Sequence, residues 1–165
     1  MMQDAMGTAS MKVEEMTSPR LYREILKHTA SGAPEFIDIT QEVKDVLTRS
    51  EIREGSVLIF TRHTTAAIEI NEDEPLLMQD LKQFLLRIAP RDGDYKHNDF
   101  FIRTANMTED ECPNGHAHCQ HLLLGTSETI PVVEGELLLG RWQRIFLIEL
   151  DRPRERQVFI QVQGW

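Results

Sequence analysis

Apolar and polar positions change period several times along the chain, and each change marks an element. Tyr22 and Ile25, then Phe36, Ile37 and Ile39, read as short strands around a turn at Ser31-Gly32-Ala33-Pro34. Thr40 offers a side-chain oxygen to cap a helix whose apolar face is Val43, Val46 and Leu47, with Arg49 near its C-terminal end. Val57-Leu58-Ile59-Phe60 follows Gly55 and fits a buried strand that delivers residues 61–65 at its end. Ala66, Ala67, Ile68 and Ile70 continue as extended chain. Pro75 opens a second helix to about Ala89, with Leu77, Leu81, Phe84, Leu85 and Ile88 as its apolar stripe. Residues 95–110 are polar and without period, a loop of the length that is usually functional. A short helix opens at Pro113 and Asn114 and runs to Leu124, where Gly125 halts it. Strands over residues 129–133, 136–139, 144–150 and 157–163 then read as an antiparallel meander. The expected fold class is α+β: a strand-rich, jelly-roll-like twisted β-sandwich with two or three helices.

Residues 1–18 sustain neither a helical nor a strand period and read as a disordered extension to a domain over residues 19–165. With 165 residues, 41% of them hydrophobic, the chain can bury one substantial core. Its 18 basic and 27 acidic residues leave a net charge of −9, which disfavours a general grip on nucleic acid or an anionic membrane and favours small-molecule partners. No apolar stretch reaches the roughly 20 residues of a membrane helix and no signal pattern precedes the domain, so a cytoplasmic location is expected. Cys112 and Cys119 have neither redox nor zinc-finger spacing and are expected to be reduced thiols.

The candidate chemistry is carried by histidine. His63 precedes two threonines at a strand end, His97 lies in the long loop, and His116, His118 and His121 follow one another on the short helix. Imidazole is a common metal ligand and titrates near neutrality, so these positions suggest a site. His118 and His121 share a helical face, with His121 read as a helix-surface residue and Cys119 as a small buried apolar one. Gly125-Thr126-Ser127 joins flexible backbone to hydroxyl donors without forming a P-loop, and Thr64 and Thr65 add two hydroxyls. Arg152, Arg154 and Arg156 cluster at a turn and fit either a phosphate clamp or a solvated surface. Trp142 fits stacking or core packing, and the Gln143 amide requires a partner.

In order, His63-Thr64-Thr65-Ala66-Ala67, Asn71-Glu72, Asp80, Tyr95-Lys96-His97, His118, Gly125-Thr126-Ser127, Gly135, Gly140, Trp142-Gln143 and Arg154-Glu155-Arg156 resemble the YjbQ family. The resemblance spans residues 21–163. It implies a homotrimer and a thiamin phosphate synthase activity, in which a pyrimidine methyl diphosphate joins a thiazole phosphate and pyrophosphate leaves. It also implies that His63, His97 and His118 are the catalytic residues and the ligands of any metal. Thr64, Thr65, Asn71, Gly125, Ser127, Gln143 and Arg154 are the expected contacts to a phosphorylated small molecule. Arg152 and Arg141 depart from the family pattern, which has Gly and Thr there. Three imidazoles suit zinc or another transition metal, whereas a diphosphate reaction suits magnesium on oxygen ligands. A transition-metal-dependent hydrolase and a non-enzymatic trimeric metabolite-binding protein are the alternative readings.

Overall fold

The structure is a computed structural model describing residues 18–165, so the extension expected over residues 1–18 lies, apart from Ser18, outside the described residues. The strands are β1 Arg20–Thr29, β2 Glu35–Asp38, β3 Gly55–Thr61, β4 Ala66–Glu72, β5 Ser127–Val133, β6 Glu136–Leu137, β7 Gln143–Glu149 and β8 Glu155–Gly164. The α-helices are α1 Thr40–Ser50, α2 Pro75–Ile88 and α3 Gly115–His121, with a 3-10 turn at Lys96–Asn98. Strand order is β1-β8-β3-β5-β6 in one sheet and β2-β7-β4 in the other. Every pairing is antiparallel. The strand-rich α+β sandwich expected from the sequence is what forms.

Alternation along the strands places the core. Val57 and Ile59 of β3, Ile130 and Val132 of β5, and Val158, Ile160 and Val162 of β8 face Ala66 and Ile68 of β4 and Ile145 and Leu147 of β7. Val43, Val46 and Leu47 of α1 close this layer. A second apolar layer lies on the other side of the three-stranded sheet, where Ala67, Phe146, Ile148 and Leu150 meet Leu85 of α2 and Ala117 of α3. β7 is therefore covered on both faces, which accounts for its unbroken Ile145-Phe146-Leu147-Ile148 run.

That double cover overturns the expected C-terminal meander. β5 and β6 form a hairpin, but β7 crosses to the second sheet and β8 returns to the first, between β1 and β3. Thr40 does not cap α1: its Oγ1 accepts the Ile145 N–H of β7 at 2.8 Å, while Asp38 accepts the Thr40 N–H at 2.8 Å. The hydroxyl is spent on joining helix to sheet. In α2 the expected stripe is wider than the contact. Leu85 is buried, while Phe84 and Ile88 remain 50% and 46% exposed. Its N-terminus is closed by Glu74, whose carboxylate accepts from the N–H groups of Leu76 and Leu77, with Pro75 in the first turn.

At the start of β3 and the end of β8, Gly55 pairs with Gly164. A Cβ on Gly55 would lie 2.0 Å from Gln163 O, and one on Gly164 would lie 1.9 Å from Glu54 O. Both have positive φ, +156° and +149°. Only glycine permits this approach.

Candidate functional site

The ends of β3 and β8, the loop before α3 and α3 itself meet around a cavity of about 450 Å³. His63, His97 and His118 all line it, together with Arg62, Thr64 and Thr65. Arg103, Asn106, Glu111, Asn114, Arg154 and Arg156 complete the wall. The three histidines come from three separate elements.

Each is placed by local chemistry. β3 pairs with β8 as far as Thr61 opposite Val158, and beyond that point the Gln157 N–H donates to His63 Nε2 at 3.2 Å. A backbone N–H can only donate, so Nε2 presents its lone pair and the neutral ring carries its proton on Nδ1. Burial first, then the Arg156 and Arg154 charges, hold the His63 pKa below its ordinary value, opposed only in part by Glu149. At neutral pH this imidazole is a hydrogen-bond donor through Nδ1.

His97 sits in the 3-10 turn, where Asn98 Oδ1 accepts the Gly115 N–H at 2.8 Å and ties that turn to the start of α3. The approach is close enough that a Cβ on Gly115 would meet Tyr95 Cβ at 2.6 Å. His97 and His118 consequently stack edge to face, with ring centroids 4.6 Å apart at 66°. Burial, followed by the neighbouring His97 and His121, lowers the His118 pKa. Among the described residues no group of three or more His, Cys, Asp or Glu is arranged to hold one metal ion. His97 and His118 are ring neighbours, whereas His63 Nε2 is taken by Gln157.

The cavity's charge is positive on an acidic chain. Among the described residues its wall has four arginines against one carboxylate, Glu111, and Glu111 is bound to Arg103 at 2.8 Å. Arg103 is further held by the carbonyls of Ala105 and Asn106, so it staples the loop. Among the described residues Arg62 and Arg154 make only long side-chain contacts, to Gln157 Oε1 at 3.4 Å and Asp151 Oδ2 at 3.5 Å. Arg156 is different, being only 2% exposed. Its Nε and Nη2 bind both carboxylate oxygens of buried Glu149, and Nη2 also donates to Thr65 Oγ1 at 2.8 Å and Thr65 O at 3.2 Å. These bonds leave Nη1 uncommitted among the described residues, on a side chain that lines the cavity. Glu149 also accepts the N–H groups of Asp151 and Arg152, fixing the turn that carries Arg154.

Other expected contacts lie elsewhere in the chain. Asn71 borders an apolar cleft between α2 and the three-stranded sheet. Gly125 donates its N–H to Glu69 Oε1 at 2.7 Å and accepts from Ile68, while Ser127 starts β5 opposite Phe60. Gln143 closes its own turn by accepting the Gly140 N–H at 2.7 Å. His116 is buried, and its bond to the Leu150 backbone makes it part of the α3 packing. His121 is half-buried with Nε2 inside, correcting the surface reading, and Cys119 is exposed where a buried side chain was expected. Trp142 is exposed beneath the Arg141 guanidinium, 4.5 Å from the ring centroid.

Sequence reasoning named Arg154 as a ligand contact, grouped Arg156 with it as part of a turn that fits a phosphate clamp or a solvated surface, and passed over Arg62, Arg103 and Glu149. The burial of Arg156 and Glu149 was within reach: Arg156 has the same strand parity as Val158, Ile160 and Val162, and Glu149 the same as Ile145 and Leu147. Extending the inward face by one pleat puts a charge of each sign in the core.

The UPF0047 YjbQ-like family profile matches residues 24–165. A UPF0047 protein of Methanothermobacter thermautotrophicus is 40% identical over 144 residues, covering 87% of this chain and 93% of the relative. The Bacillus subtilis UPF0047 protein YugU is 35% identical over 79% of this chain and 90% of its own length. The crystal structure of a YbjQ-like protein of unknown function from Sulfolobus solfataricus superposes with a TM-score of 0.80 at 34% identity, covering 90% of this chain and all of that one, 100%. With the fold and these matches in agreement, the chain belongs to the UPF0047 YjbQ-like family.

Proposed function

We propose that the histidine cavity binds a phosphorylated small molecule and carries a diphosphate-releasing transfer, the thiamin phosphate synthase reaction implied by the YjbQ resemblance. The observation that supports this reading is the lining itself: four arginines, with the one lining carboxylate among the described residues already paired to one of them. In the proposed step the methylene C–O bond of the pyrimidine methyl diphosphate breaks, the thiazole nitrogen takes the carbon, and pyrophosphate leaves with the bonding pair. Arg62 and Arg154 have donors to spare for the growing charge, and Thr64 and the His63 Nδ1–H add neutral ones. Any divalent metal is proposed to arrive on substrate oxygens, since the donors present do not gather three imidazoles around one point.

Purified protein given both phosphorylated substrates is expected to release pyrophosphate, and His63→Ala and Arg62→Ala to reduce that release by about tenfold or more. Pyrophosphate binding without turnover by the wild type would replace the synthase with the second reading, a metabolite-binding protein. The cation-lined wall serves that second reading as well, since holding an anion requires no further group. The assembly is proposed to be a homotrimer, and sedimentation at micromolar concentration tests it. The exposed face of the five-stranded sheet, with Ile25 opposite Phe159 and Phe159 opposite Phe60, offers apolar surface for such contacts.

A further inference from the structure

Arg156 is not used by the chemistry just proposed, yet it is the most completely fixed cation in the cavity wall. Taking a guanidinium out of water is costly, and a buried ion pair frequently stabilises a fold no better than apolar residues of the same size. Holding Thr65 in place does not by itself require a charge. What an arginine adds here is Nη1, the one nitrogen left without a partner among the described residues, on a side chain that opens to the cavity. The rest of the guanidinium is clamped on both sides, by Glu149 of β7 and by Thr65 just before β4. Its planar fork is thereby aimed before any ligand arrives.

We infer that Arg156 is the fixed anion-binding residue of this cavity, its Nη1 donating to a phosphate oxygen of the ligand, with Thr65 and Glu149 as positioning residues. The inference rests on the anionic-ligand reading above. Arg154 and Arg62 supply charge from more exposed positions and must lose side-chain freedom to bind, whereas Arg156 has already lost it. A clamped guanidinium keeps one direction of approach, which favours a tetrahedral oxyanion seated against β8 over an anion attracted to the mouth. The Thr65 hydroxyl faces Arg156, so its expected role as a ligand contact becomes one of holding the arginine.

The test is calorimetric titration of the full chain with pyrophosphate and with inorganic phosphate. The double variant Glu149→Gln with Arg156→Met removes both buried charges together and retains an amide oxygen for the Asp151 and Arg152 N–H groups, so no lone ion is stranded. It is expected to melt cooperatively and to bind pyrophosphate at least about tenfold more weakly, which is about 1.4 kcal/mol. Arg154→Ala is expected to cost only about threefold, and that loss should fade at high salt. Thr65→Val should weaken binding severalfold with little change in Tm, and Thr65→Ser should restore it. A folded double variant with wild-type affinity overturns the role of Arg156 while leaving the anionic-ligand reading intact. Failure of the wild type to bind either anion overturns that reading and the inference with it. Should the double variant not fold, a structure of the wild type with pyrophosphate decides: Arg156 Nη1 must lie within about 3.5 Å of a pyrophosphate oxygen.

Discussion

His118 and His121 share one helix and one residue type, but their surroundings separate them. His118 faces the cavity beside His97, while His121 turns its Nε2 inward without a hydrogen-bond partner among the described residues. Pyrophosphate affinity is therefore expected to fall about tenfold further in His118→Ala than in His121→Ala, measured by titration. Cys119→Ser should change Tm by no more than an exposed substitution does, within about 0.5 kcal/mol of stability, because the thiol already faces solvent. At this scale the convergence of His63, His97 and His118 on one cavity was legible because ordered motifs marked them. The burial of Arg156 was not, because an Arg-Glu-Arg run looks the same on a solvated turn as on a strand that carries alternate residues into the core. Its partner is seven positions away, at the end of another strand, and only pairing in space makes the two charges compatible with burial.

Between elements, the joint of β2, α1 and β7 depends on Asp38. Burial raises its pKa, but hydrogen bonds from the Thr40 side chain and backbone and from Arg144 outweigh burial and leave it below the ordinary value of 3.8. A carboxylate with a depressed folded pKa stabilises the protein fully above its unfolded pKa, and that contribution disappears as pH falls through the folded value. Asp38→Asn is thus expected to lower stability by about 1.5–3 kcal/mol near neutrality. In urea melts the gap between wild type and variant should start to narrow as pH falls past 3.8 and go on narrowing below it, and a gap that stays constant into acid would contradict this account. The helices and most strands were legible from period alone. The destination of β7 was not. A run apolar at every position states that both faces are covered and is silent about which layers cover them.

For the whole molecule, the two ends of the sandwich are fastened by different means. At one end the Gly55 and Gly164 backbones touch within the five-stranded sheet, and Gly55→Ala is expected to abolish cooperative folding, since the new Cβ would lie 2.0 Å from a carbonyl oxygen. Circular dichroism of the purified variant reads this directly. A folded Gly55→Ala protein would mean that β3 and β8 can separate there. Glycine itself was visible in the sequence, but the partner that forbids a side chain lies more than a hundred residues away.

At the other end, the Arg156 clamp bridges β8 of one sheet to Glu149 and Thr65 on the other, and the cavity opens on that seam. A molecule that settles there holds both halves of the sandwich at once, and unfolding must expel it. Occupancy then appears as heat resistance: about 2.7 kcal/mol when the molecule is present at a hundred times its dissociation constant. Melting the protein in the presence of one small phosphorylated metabolite after another would let the sandwich select its own cargo, with no reaction assumed beforehand.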